Sequence, residues 1–548
     1  MRTTGLAGVV CSIVCAVAPL VAHAGGYEVP DNGTEALGRG GAFVAKADDG
    51  TALQYNIAGL ARQRGTRITL DLNLIYNDIA FTRAGVYPGD PSDMRTPFAG
   101  QPYPTVHNSD NLFPAPFLGV STDFGWFKRW TFGFGIYGPP SAGKRNYNVN
   151  GETPPAEVTL PNGMKAPGPA RYDIARTDLL IIFPTLAAAF HATRWLDVGL
   201  ALQMVYGSFN LMSASTTPLG RTNCPTPDFP GCDSYADIKT SGYSVTGLVS
   251  ILAHPTDWID VGATYRPPVF MTSEGTLHAV PPPLNPIKLA DSPVTFESNL
   301  PMWLRVGGRV IKRWPDGSER ADLEVDLTWE NWSAEQKSHI YSPDFTLGPG
   351  GELNADVLHK YRDTFGVRVG GAYNHPFKEN LVATGRLGAY FDSAATHYAN
   401  TRLDFNTAAK YGLTVGGGVR WRGLQVNLAY AFVYSPARDV TSSETLALSG
   451  INGNPVPMRD AFIAVGNGRY VPSTHLISLG VTVDIGGFRT ARAMPAVPTE
   501  PAPPAAPAAP GEPAAPAAPA APVAPTAPGA PAAPAAPATP ASPPAATP

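Results

Sequence analysis

The feature that most constrains this chain is a period-two alternation of apolar and polar residues, recurring in segments whose links are short and long in turn. In the first segment Ile68, Leu70, Leu72, Leu74 and Tyr76 fall on one face and Thr69, Asp71, Asn73 and Asn77 on the other. Near 323–330, Leu323, Val325, Leu327 and Trp329 oppose Glu324, Asp326, Thr328 and Glu330. The last segment sets Ile477, Leu479, Val481, Val483 and Ile485 against Ser478, Thr482 and Asp484. Alternate residues share a face of a strand, so each segment predicts a strand with one apolar side.

A soluble sandwich alternates in the same way; the links separate the two. About fourteen strands are expected, beginning near 66, 113, 129, 174, 194, 237, 257, 294, 320, 360, 379, 408, 423 and 473. Short links fall at 125–128, Ala192-Thr193, Pro255-Thr256, Trp314–Gly317, Pro376–Glu379 and Arg422-Gly423. Between them lie long stretches rich in Pro, Gly and Asn: 83–112, 139–170, 212–236, 275–293, 334–359, 395–407 and 437–472. An even number of antiparallel strands, with tight turns at one end and long loops at the other, is the pattern of an outer-membrane barrel. Trp126, Trp130, Trp195, Trp258, Trp303, Trp329, Trp332 and Trp421 sit near strand ends and suit interfacial girdles.

The N-terminus supports export. Arg2, an apolar run from Leu6 to Val21 and the small-x-small site Ala22-His23-Ala24 read as a signal peptide over 1–24. No later run of 18 apolar residues predicts a transmembrane helix. A net charge of −4 gives no reason to expect nucleic acid as a partner. Cys224 and Cys232 are the only cysteines beyond the signal. In an oxidising compartment they form a disulfide across a small loop, or stand as two thiols. From 489 to 548 the chain passes into Pro and Ala, a composition that cannot build a core. As an extended linker this tail reaches on the order of 150 Å, toward peptidoglycan or a periplasmic partner, or it is a passive tail.

Residues 25–65 precede the first strand and are too short and Gly-rich to fold alone, so they read as a plug inside the barrel (66–488). Here the chain resembles the FadL-type long-chain fatty-acid transporters of Gram-negative outer membranes. The motifs are Ala36-Leu37-Gly38-Arg39-Gly40, Ala47-Asp48-Asp49 and Tyr55-Asn56-Ile57-Ala58-Gly59-Leu60, with Ile57 where the family usually has Pro. Val261–Arg266, Leu300-Pro301, Trp329–Ser333, Tyr361–Thr364 and Gly468-Arg469-Tyr470 are similar to later family strands. The resemblance implies a fourteen-stranded all-β barrel and a hatch containing Gly38, Arg39, Gly40, Asp48, Asp49 and Asn56. It also implies a hydrophobic cargo, a fatty acid or an aromatic hydrocarbon, taken from the lipopolysaccharide side and released sideways into membrane lipid. The side opening would lie in a kinked third strand, at Gly133, Gly135 and Gly138 followed by Pro139-Pro140; an ordinary strand end is the other reading.

Alternation places Arg305, Arg309, Glu324, Asp326, Arg368, Arg386 and Arg420 on the lumen face. Unpaired buried charge is costly, so these should pair with one another, or the arginines should hold Asp48 and Asp49 or a ligand carboxylate. Leu112, Phe113, Phe117 and Phe229 are candidate loop contacts for an arriving ligand. No Gly-x-Ser-x-Gly elbow and no His/Cys set with metal spacing occurs, so neither enzyme chemistry nor a metal or other cofactor is expected. A barrel that merely tethers the envelope through its tail is the remaining alternative.

Overall fold

The computed structural model describes residues 32–139, 143–150, 154–216, 229, 231, 233–281, 283, 290–344, 352–378, 380–405, 407–445 and 464–485. The signal, both cysteines and the Pro/Ala tail lie outside them, as do the readings attached to those segments. Fourteen strands form the barrel: β1 (Thr66–Arg83), β2 (Leu112–Thr122), β3 (Trp130–Tyr137), β4 (Arg176–Thr193), β5 (Leu196–Thr216), β6 (Asp233–Thr256) and β7 (Ile259–Arg266) make one half. The other half is β8 (Trp303–Arg313), β9 (Glu319–Glu330), β10 (Thr364–Lys378), β11 (Leu381–Asp392), β12 (Lys410–Trp421), β13 (Leu424–Tyr434) and β14 (Gly468–Ile485). Each pairs antiparallel with the next, and β1 closes on β14 from Thr66↔Ile485 to Arg83↔Gly468.

Exposure runs opposite to that of a soluble protein. On β1, Leu70, Leu72 and Leu74 face outward while Thr69, Asp71 and Asn73 are buried. Only lipid outside and a packed polar interior reconcile that pattern with the cost of exposing apolar surface to water. No helix among the described residues is long and apolar enough to cross a membrane, so the crossing is made by strands.

Two short links sit about two residues further on than the sequence suggests. Ala192-Thr193 and Pro255-Thr256 belong to strands, and the turns are Arg194-Trp195 and Asp257-Trp258. The segment expected near 294 divides in two. Ser292–Glu297 joins Thr272–Val280, Lys337–Ser342 and Leu353–Leu358 in a sheet that continues the upper end of β6 on the long-loop side, and β8 begins only at Trp303.

Candidate functional site

The plug lies in the lumen. It consists of helix α1 (Thr34–Gly38), helix α2 (Ala52–Tyr55) and a 3-10 helix, Ile57–Arg62. Its backbone rests directly on wall glycines. A Cβ at Gly370 or Gly388 would collide with Arg39, at Gly199 with Ile57 and Ala58, and at Gly262 with Val44. From the plug side, Gly40 adopts a φ of 67° and stands against the Ala389 backbone, so both requirements call for glycine. Gly38 meets Gly416 in the same manner. Asn56 caps the 3-10 helix through Ala58 N–H and donates its amide to Val44 O and Ile251 O. Ile57 fills the first position of that helix, where no N–H is needed for helical bonding, and its side chain is buried beside Gly199.

Charge fixes one side of the plug. Arg39 donates to both oxygens of Asp322 at 2.9 and 2.6 Å and to Glu324 at 3.1 Å. The other Glu324 oxygen accepts the Ala45 and Lys46 amides, and Asp326 accepts those of Phe43 and Val44. Four consecutive amides thus close on two carboxylates of β9. Arg309 adds contacts to Asp322, Asp260 and Glu319.

The arginines expected to hold Asp48 and Asp49 bond elsewhere. Arg386 pairs with Glu35 at 2.9 Å and Arg368 with Asp392 at 3.0 Å. Asp48 is exposed and pairs with Lys46, while Asp49 caps Thr51. Arg420 is exposed, two residues before the Arg422-Gly423 turn. Glu35 and Asp322 anchor the plug without having been singled out, and they lie in the same helix as, or obey the same parity as, the expected residues. Asp322 was recoverable from its alternation with Glu324 and Asp326.

The glycines of β3 serve the plug. A Cβ at Gly133 would sit 2.8 Å from Leu53 and 2.9 Å from Leu60, and one at Gly135 would sit 2.7 Å from Leu53. The strand is paired with β4 along its whole length, Trp130↔Phe190 to Tyr137↔Phe183, so Gly133 and Gly135 mark no break there. Gly138, past the strand end, gives its carbonyl to the Asn32 amide at 2.7 Å.

The ladder stops on the other side of β3. β2 pairs with β1 from Leu112 to Thr122 but with β3 only from Leu118↔Ile136 to Thr122↔Phe132. Among the described residues, 112–117 have no strand partner on that side. Pro114 and Pro116, which supply no N–H, lie in this stretch. From inside, Phe113 and Phe117 cover it: both are buried strand residues, not loop contacts, and Phe117 stacks on Tyr137 at 5.5 Å.

Above the plug is a cavity of about 150 Å³. Its walls include Leu179 and Ile181 of β4, Phe209 and Leu211 of β5, Ile238 of β6, and Met271, Phe296 and Ile340. At the loop end stand Asp173, Arg402, Asp404 and His359. Arg402 bridges Asp173 at 3.0 Å and Asp404 at 3.4 Å. Burial, only partly offset by Arg402, pushes Asp173 up to about 6. Burial lowers His359 to about 4, so its ring is neutral where it stacks on Tyr361 and meets Ser338.

At the plug end the cavity meets Arg266 and Trp303. Beneath it a chamber of about 10 Å³, room for about one water, is lined by Gln54, Tyr137, Gln203, Arg266 and Arg305. Arg305 lies 4.4 Å and Arg266 5.3 Å from the Trp303 ring, a spacing that suits cation–π contact. Trp303 and Trp332 are therefore interior groups, whereas Trp126, Trp195, Trp258 and Trp421 are exposed at the short-turn end.

A closed barrel with an apolar outer face, a built-in floor and an apolar cavity above that floor defines an outer-membrane transport barrel. Residues 15–457 match the family described as outer membrane protein transport protein (OMPP1/FadL/TodX), and the chain belongs to that family. No curated protein matches the chain. A FadL homologue from Pseudomonas aeruginosa superposes with a TM-score of 0.62 at 17% identity, covering 84% of this chain and 100% of that one. The Ralstonia pickettii toluene transporter TbuX gives 0.54 at 17% identity over 84% and 100%. The P. putida toluene transporter TodX gives 0.57 at 15% identity over 84% and 99%. Identities this low establish the shared fold alone.

Proposed function

We propose that this protein carries hydrophobic carboxylates, of the long-chain fatty-acid class, from the cell exterior into the membrane with no chemical step. The observation that carries the reading is the pair Arg266, at the lower end of a cavity whose middle is apolar, and Arg305, in the small chamber just beneath it. At the loop end the one guanidinium, Arg402, is already shared by Asp173 and Asp404, so an anionic head points down toward Arg266 and Arg305 and the chain lies between Leu179, Ile181, Phe209 and Ile238. Charge-assisted bonds from guanidinium to carboxylate are among the stronger contacts available there. The way out is sideways, beside Tyr137 and Pro139, where β2 has no strand partner on the β3 side among the described residues, because the floor is close-packed on wall glycines. In that role Gly138 positions the end of β3, and the remaining lumen charges hold the floor.

Replacing Arg266 and Arg305 together by Gln should weaken oleate binding by at least about ten-fold, measured on purified protein, and leave toluene binding unchanged. An oleate affinity equal to wild type would refute the carboxylate reading. An aromatic hydrocarbon is the second reading, favoured by the cavity volume: about 150 Å³ of apolar space accommodates a single benzene-sized ring. It predicts tight toluene binding and no effect of the double substitution on any ligand.

A further inference from the structure

At the loop end of the cavity two buried polar atoms, Thr177 Oγ1 and Asp173 Oδ1, have no hydrogen-bond partner among the described residues. Their residues are 1% and 6% exposed, and both line the cavity. Thr177 is the second residue of β4 and shares its inward face with Leu179 and Ile181, so its hydroxyl borders the apolar stretch that begins directly below. Asp173 uses its other oxygen to accept the Leu403 amide at 2.7 Å. Arg402 brings Nη2 to 3.0 Å from Asp173 Oδ1 but donates from it to the Asp173 carbonyl at 3.2 Å. That carboxylate oxygen therefore has a charge beside it and no donor. The neighbouring groups are engaged: Asp404 accepts the Phe405 amide at 2.8 Å, and His359 meets Ser338 at 3.1 Å. Leaving a buried polar atom without a partner costs free energy, and native structures keep few of them. Here a bare acceptor and a bare hydroxyl border the same space.

We propose that the loop end of the cavity is a hydroxyl-binding subsite, through which the protein takes apolar molecules carrying one hydroxyl, phenols and alcohols, in preference to the corresponding hydrocarbons. A hydroxyl group both donates and accepts. Its proton goes to Asp173 Oδ1, and its oxygen accepts from the Thr177 hydroxyl. A carboxylate has no proton to give Asp173, an ammonium meets the Arg402 guanidinium, and a hydrocarbon satisfies neither atom. The apolar body then lies against Leu179, Ile181 and Leu211, which faces Thr177 across the ladder. A cavity of about 150 Å³ has room there for a single ring. A water could make the same two bonds. A ligand hydroxyl that displaces it reproduces them, whereas a methyl group in its place does not. The subsite uses neither Arg266 nor Arg305, so it is independent of the carboxylate reading above.

The test compares p-cresol with toluene, which differ by one hydroxyl, in binding to the purified full chain. It is run at pH 8, where Asp173, with its pKa raised to about 6, is ionised. Thr177→Val keeps the side-chain shape and removes the hydroxyl. It should lower the ratio of p-cresol affinity to toluene affinity by about three- to ten-fold, the effect of one neutral hydrogen bond. Thr177→Ser, which retains the hydroxyl, should keep the wild-type ratio. Asp173→Asn exchanges a charged acceptor for a neutral one, should lower the ratio as well, and is the second probe where Thr177→Val fails to assemble. A ratio unchanged in either assembled variant, Thr177→Val or Asp173→Asn, overturns the subsite and leaves the two atoms to bound water. A wild type that binds toluene but not p-cresol overturns it too. Oleate binding to the Arg266 and Arg305 double variant decides the carboxylate reading separately, and its failure leaves the hydroxyl subsite standing.

Discussion

Within one cylinder of strands the floor and the cavity above it are made from opposite materials. On β5, Gly199 lies under Ile57 and Ala58 of the plug, and ten residues later Phe209 and Leu211 line open space. The floor uses glycine to bring backbone onto backbone and pairs its charges in place: Arg39 with Asp322 and Glu324, Arg386 with Glu35. The cavity uses branched and aromatic side chains and the adaptable Met212 and Met271, which leave room between them. The difference separates two tasks that a single barrel must perform together, excluding polar solutes and admitting apolar ones. It also tells where a substitution will register as lost stability and where as altered cargo.

The largest expected effect comes from breaking the floor. Glu324→Ala leaves the Ala45 and Lys46 amides without their acceptor and Arg39 with one carboxylate instead of two. It should cost about 3–5 kcal/mol, the range for breaking a buried ion pair. Denaturant unfolding in micelles reads the loss, and a rise in single-channel conductance reports the leak. Gly133→Leu, which drives a side chain into Leu53 and Leu60, should cost about 1–3 kcal/mol. Leu211→Ala in the cavity sharpens the contrast: a loss at the low end of that scale accompanied by a shift of preference toward bulkier ligands, read by competition binding.

The cavity also has a pH signature. His359 has its pKa lowered to about 4 by burial, against about 6.5 when free. Between those values the unfolded loop binds more protons than the folded one, so stability is full above about 6.5 and falls as pH drops toward 4. The share of His359 between pH 7 and pH 5 should be a loss of about 1–2 kcal/mol, read in thermal unfolding as the part of the difference that His359→Gln abolishes; Asp173, raised to about 6, shifts stability in the opposite direction over the same window. The smallest effect belongs to Asp48→Asn. Its exposed pair with Lys46 should change stability by less than about 0.5 kcal/mol; a loss above 2 would place Asp48 among the groups that fix the plug.

The barrel was legible because lipid outside and a filled lumen inside impose a strict period of two on every strand. The same parity put Arg305, Arg309, Glu324 and Asp326 inside, and it also puts Trp303 beside them, although residue type alone suggests a girdle. Turn positions were less legible: alternation does not mark the last hydrogen-bonded pair, so Thr193 and Thr256 still belong to strands. The partners of the plug charges could not be read, because residues 32–64 have no periodicity and reach the wall only through the way the chain is laid down. Gly133 and Gly135 suggest a wall defect by residue type, yet their strand is fully paired with β4; among the described residues the strand residues without a partner on the β3 side include Pro114 and Pro116, a residue type that removes donors where glycine only removes side chains.

Thr34 touches both strands of the closing seam. Its amide and hydroxyl meet Asp71 of β1, and its hydroxyl also meets Ser478 of β14 at 2.7 Å. A floor that fits wall glycines at van der Waals distance or closer cannot be threaded through a finished cylinder. It has to be in position before the first and last strands zip together. A barrel that seals empty forgoes those bonds and leaves the Asp71 carboxylate without them. The floor is thereby tied to the very pair of strands whose meeting closes the cylinder.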